Sequence, residues 1–297
     1  MNPELKGIYE AEVERYDRIL IAAEDWSGEY KKDRTTFKQI VKVEARLRRE
    51  IRSVFREMST KVDRYINWNN YYLQQAELKA SQDPLKAAVD VEVIVSEELY
   101  DELDELFFSV TFTTISTAIA TGAQAGEAIY KIPLGIRSSD AAIQSLTTDR
   151  MAWLIGKRVD KSGAVVDNPK AEYRISNKTR ADIASNIKSG IALGEDRATM
   201  TKRLETIVKN PRRAETIAQT ETVNAYGEGM LEFARESDAT GKEWQDVAAT
   251  DECALNSDEG IIPIEATFMS GDKAPAAHTG CRCNLRIVYA NEFQPNA

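Results

Sequence analysis

Residues 37–58 read FKQIVKVEARLRREIRSVFREM, and this stretch decides the fold. Ile40, Val43, Leu47, Ile51, Val54, Phe55 and Met58 recur at spacings of three and four, so they line one stripe of a 3.6-residue helix. A stripe that apolar must be covered by another element, which sets an expectation of helix packed on helix. Lys38, Lys42, Arg46, Arg49, Arg52 and Arg56 form a second stripe at similar spacing, with Arg48 beside it and only Glu44 and Glu50 in opposition between 38 and 56. That stripe reads either as a contact for DNA or an acidic partner, or as a solvated helix face.

Working outward, the first 130 residues contain few helix breakers. A second helical block is expected from about Pro84 to Tyr130, with Asp83 as N-cap and Pro84 at the first helical position. Within it Leu103 to Ala125 is the most apolar run in the chain, but Asp104, Glu105, several threonines and Gln124 interrupt it. A bilayer core would strand those polar groups, so the run reads as a buried helix and not as a membrane anchor. Its Thr111, Thr114 and Thr117 could alternatively face a second helix inside an assembly. The start, Met1 to Lys6, lacks the cationic start followed by an apolar run that an export signal needs.

Ile132-Pro133-Leu134-Gly135 punctuates the chain, a short helix is expected around Ala141 to Ile155, and Gly156 to Pro169 suits a small hairpin around Ala164-Val165-Val166. Helices resume from Ser176, stop at Gly194, and restart after Asn210-Pro211 toward Glu236. Beyond Gly241, the segments 243–245, 260–264 and 284–288 look like short strands joined by polar loops, and Asp251 and Asp258 are read as loop residues. The expected fold is therefore mainly α, with long N-terminal helices followed by a small α+β C-terminal domain. The expected boundaries are 1–132 for the helical region, 133–174 for a connector with the hairpin, and 175–297 for the C-terminal domain.

The formal charge of -9, spread along the chain, argues against a protein whose main task is coating nucleic acid; any DNA contact must be local. All three cysteines and the single histidine fall between Cys253 and Cys283. Cys253, His278, Cys281 and Cys283 make a Cys3His set of the kind that holds structural zinc, although Cys-x-Cys is tighter than the usual ligand gap. Plain reduced thiols, one disulfide with a thiol left over, or a loop-capping histidine are the competing readings.

Arg213 to Glu221, then Ala225, Gly229, Lys242, Trp244, Asp251, Cys253, Asp258, Gly260, Pro275, His278 and Cys281-Arg282-Cys283 together resemble the phage Mu F-like family of head morphogenesis and minor head proteins. The resemblance covers roughly residues 175–290, and His-x-x-Cys-Arg-Cys is its most specific part. Gln219 stands where the family typically has Arg, Thr279 where it has Pro, and Asn256 where many members carry a second Cys.

This resemblance implies a minor structural protein of a tailed-phage head, with no established catalysis. It would act in procapsid assembly at the portal beside other head proteins, contact packaged double-stranded DNA or aid its ejection, and sit in the host cytoplasm during assembly. Two alternatives stand beside it. Glu221, Asp251 and Asp258, with His278, could converge on a metal in a nuclease, or Arg282 and Arg286 could touch phosphate in a zinc-stabilised nucleic-acid-binding module.

Overall fold

A computed structural model describes residues 26–81, 89–169, 174–247, 251–290 and 292. The chain is mainly α with a small α+β region toward its C-terminus. In chain order it forms α1 (Arg34–Lys61), α2 (Trp68–Ala80), α3 (Glu98–Tyr130), α4 (Ala141–Leu154), β1 (Lys157–Val159) and β2 (Val165–Asp167). There follow α5 (Asn177–Leu193), α6 (Arg197–Val208), α7 (Pro211–Glu236), β3 (Gly241–Gln245), α8 (Asp251–Asp258), β4 (Ile261–Pro263) and β5 (Asn284–Val288). The expected N-cap at Asp83-Pro84 and the reading of Met1 to Lys6 lie outside the described residues.

The periodic stretch at 37–58 is the middle of α1, which begins where Asp33 accepts the Thr36 amide at 2.7 Å. All seven of its apolar stripe residues are buried. The second block departs from expectation. Residues 91–97 form a turn and an isolated antiparallel bridge, Ile66 with Val95, and α3 starts only at Glu98. The β-branched Val91, Val93 and Val95 favour that extended path over a helix. By length and composition α3 could cross a bilayer, yet most of its apolar window is buried inside the protein. Thr111 and Thr114 are buried there too, so they are not on offer to an assembly, and the Thr111 hydroxyl donates to Phe107 O at 2.8 Å.

The chain divides into two compact units. One comprises Met1–Arg46, Thr114–Gln144 and Thr216–Ala297, and the other Leu47–Thr113 and Ser145–Glu215. In the second unit, Gly194 ends α5 in the left-handed conformation (φ 71°), which only glycine adopts without strain. Asp196 then caps α6 by accepting the Thr199 amide at 2.8 Å. Arg213 donates to Thr179 Oγ1 and Ile175 O while lying 4.9 Å over Phe55, so one guanidinium ties together residues from α1, α5 and α7. The hairpin forms as expected, with Arg158 opposite Val166.

Asp104, on α3 in the same unit, is 3% exposed and accepts from Arg174 and, at 2.9 Å, from Ser176 Oγ. Burial raises its pKa to about 6 despite those donors. A carboxyl raised above its unfolded value contributes stability that is complete below about pH 4 and is lost as pH rises through 6. Unfolding free energy should therefore fall by about 3 kcal/mol from this group between pH 4 and 7. Asp104→Asn should flatten that part of the profile in urea titrations; an unchanged slope would refute the assignment.

In the first unit, the C-terminal turns of α3 cross α7 at Gly122, Gly126 and Gly229. The sheet has strand order β4-β3-β5, all antiparallel, with Lys242 opposite both Ile262 and Ile287. Trp244 is fully buried and meets Phe268 edge-on at 5.1 Å. Lys242 is also fully buried; its Nζ donates to Lys273 O at 2.8 Å, and desolvation pulls its pKa down to about 8. That bond fixes the 268–273 loop over β3.

Candidate metal centre

The face of α7 explains how a loop with little secondary structure becomes a positioned site. Three polar side chains within about two turns reach the 274–280 loop: Gln219 Nε2 donates to Gly280 O at 2.6 Å, Thr220 Oγ1 accepts the Gly280 amide at 3.1 Å, and Asn224 Oδ1 accepts the Ala276 amide at 2.9 Å. Gly227, on the next turn, lets the loop come close, since a Cβ there would lie 2.8 Å from Pro275 O. These side chains satisfy loop amides and carbonyls that have no strand partner. Composition alone could not single them out; a helix face with polar or small residues at 220, 224 and 227 was the available signal.

The loop carries His278 and leads into Cys281 and Cys283, while α8 supplies Cys253. The ligand atoms of Cys253, His278 and Cys281 all lie within 4.8 Å of one another, and this cluster could hold a metal ion. The Cys253 and Cys281 sulfurs are 3.8 Å apart, and all three cysteines are buried thiols outside any disulfide. The His278 Nδ1 lies 3.0 Å from Thr279 O. A carbonyl oxygen can only accept, so Nδ1 is the donor in that contact. The Cys283 amide donates to Cys281 Sγ at 3.4 Å. Cys283 stands outside the 4.8 Å group, but its thiol meets those of Cys281 and Cys253; the bond to Cys281, burial and the neighbouring sulfur push its pKa well up.

The α8 helix was not expected. Asp251 and Asp258 are helical residues, because Cys253 and Asn256, three apart, give the segment a buried face against β3. Asn256, noted above as a departure from the resemblance, lies on this helix. It is fully buried and donates through Nδ2 to Ser270 Oγ at 2.9 Å while accepting the Ser270 amide at 3.0 Å, so the position has a structural task here.

The residues weighed for nuclease chemistry are not gathered in the same way. Glu221 is buried on α7, Asp258 is exposed near the end of α8, and among the described residues the cluster includes no carboxylate. The arginines weighed for phosphate contact are engaged with carboxylates: Arg282 pairs with Glu44, and Arg286 with Glu243 at 2.5 Å and Glu292 at 3.0 Å. On α1, Lys42, Arg46, Arg49, Arg52 and Arg56 are exposed and Lys38 is half-buried, so the basic stripe does face solvent.

Residues 181–286 match the family model described as Phage Mu protein F like protein. A search of curated proteins and a search of solved structures each return no match.

Proposed function

From the match of residues 181–286 to the phage Mu F-like family model, we propose that this chain is a minor structural protein of a tailed-phage head, built in beside the portal during procapsid assembly. The observation that carries the reading is the family match over the segment that contains the α7-clamped loop and the thiol-imidazole cluster. Zinc on the Cys253, His278 and Cys281 cluster gives that segment a fixed shape, and residues 175–297 serve as the docking domain. The protein assembles in the host cytoplasm and stays in the head, near the portal and the packaged double-stranded DNA.

An acidic chain in a DNA-filled head needs local cations wherever it meets phosphate. The α1 stripe of Lys38, Lys42, Arg46, Arg49, Arg52 and Arg56 is the surface proposed for that contact, or for an acidic head protein. Reversing Arg49, Arg52 and Arg56 to Glu should lower incorporation into heads severalfold. Stability should change by no more than about 0.5 kcal/mol per site, because all three are exposed. Equal incorporation would return the stripe to a solvated face. Co-expression with the portal ring followed by affinity purification of the ring tests the wider reading: retention of this chain supports it, and its absence from both portal and assembled heads overturns it.

A further inference from the structure

We propose that Cys283 is the fourth ligand of a closed, tetrahedral Cys3His zinc centre, with His278 binding through Nε2. The assignment rests on the zinc reading above and deepens it, because it decides whether the cation has an open position for chemistry or serves only to hold the fold.

The cluster is already shaped for a soft divalent cation. With metal–sulfur bonds of about 2.3 Å, the sulfur–sulfur edge of a tetrahedron is about 3.8 Å. Cys253 and Cys281 stand 3.8 Å apart. The Nδ1 proton of His278 is committed to Thr279 O, an outer-shell hydrogen bond of the kind that orients metal-bound imidazoles. Cys253, His278 and Cys281 thus supply three ligands, and structural zinc takes four.

The fourth position can be filled by water, by a carboxylate or by Cys283. Among the described residues no carboxylate joins the cluster. Cys283 is 3% exposed and its thiol is in hydrogen-bond contact with both Cys281 and Cys253. Its backbone is held on both sides, the amide donating to Cys281 Sγ at 3.4 Å and the carbonyl accepting the Tyr30 hydroxyl at 3.0 Å. With the backbone so held, Cys283 joins the shared cation by turning its sulfur from its two neighbours. On binding, each ligating thiol releases its proton to solvent, and the cation bonds α8 to the turn that leads into β5. With three sulfurs and one nitrogen in place, no site remains for an activated water, so the centre is structural.

X-ray absorption at the zinc edge of the unmodified full-length protein tests the ligand set directly. The expected result is one zinc per chain with three sulfurs near 2.3 Å and one nitrogen near about 2.0 Å. A shell of two sulfurs, one nitrogen and one oxygen overturns the role of Cys283 and leaves the zinc reading standing; purified protein with no bound zinc overturns both. In parallel, Cys283→Ser should weaken zinc binding by at least 10- to 100-fold, the loss that even outer-shell partners of a metal produce. It should also reduce the sulfur-to-metal charge-transfer band of the cobalt-loaded protein by about a third, one thiolate of three. Unchanged affinity and an unchanged band would refute the assignment.

Discussion

Gly229→Ala is expected to destabilise the protein by about 4 kcal/mol or more, and Gly229→Leu to abolish folding of the unit that contains it. A Cβ built on Gly229 would lie 1.8 Å from Ile119 O and 2.9 Å from Ala123 N, and one built on Gly122 would lie 2.0 Å from Tyr226 O. All of these are backbone atoms, so no rotamer change can relieve the overlap. The helices α3 and α7 would have to move apart, stripping contacts along the crossing from Ala118, Ala123 and Ala225, all of which are fully buried. Over-packing usually costs about 1–3 kcal/mol because side chains can yield; backbone against backbone cannot. With a total stability of about 5–15 kcal/mol, most of the folded population is at risk. Urea unfolding of Gly229→Ala beside Gly28→Ala gives the comparison, since a Cβ on Gly28 meets nothing within 4 Å. Similar midpoints for the two variants would show that the crossing can relax.

Arg282→Met should cost about 3–5 kcal/mol, and a second substitution, Glu44→Leu, should recover most of it. Both NH groups of Arg282 bond the Glu44 carboxylate, the two side chains are only 11% and 10% exposed, and the guanidinium lies 4.1 Å over Trp26. Removing the arginine alone takes from a buried carboxylate the two hydrogen bonds and the opposite charge that Arg282 supplies. Removing both exchanges a desolvated ion pair for methyl and methylene groups. Arg282→Lys should not rescue, because an ammonium cannot reproduce the forked bond or the stacking on Trp26. A double-mutant cycle in denaturant provides the measurement; additive losses would mean that the pair is uncoupled. Arg282 also sits between Cys281 and Cys283 in sequence, so the single variant should loosen the turn that holds both thiols.

The helical elements were legible because their signals are local. The stripe from Ile40 to Met58, the stop at Gly194 and the restart at Asn210-Pro211 depend on residues within a turn or two of one another, and all three appear as expected. The hairpin and the three strands of the C-terminal sheet were equally readable from short extended runs bounded by turn residues. Two local readings failed. Residues 91–97 are not helical, since Val95 is drawn into a bridge with Ile66, and 251–258 is not a loop, since burial of Cys253 and Asn256 supports a short helix that its own polar sequence does not announce.

The candidate site shows the same division. Sequence alone determined that the lone histidine and three cysteines would share one short region, and that the chain is mainly α with a small mixed tail. Only the tertiary structure decided that Cys253, His278 and Cys281 converge while Cys283 waits beside them, and that Gln219, Thr220 and Asn224 hold the loop. The same holds for Arg282 turning inward to Glu44 and for the Tyr30 hydroxyl reaching Cys283 O across 253 residues of chain. Periodicity and caps follow from bonds three or four residues apart, whereas convergence, close helix crossing and charge burial arise between residues that only folding brings together, and no spacing along the chain encodes those distances.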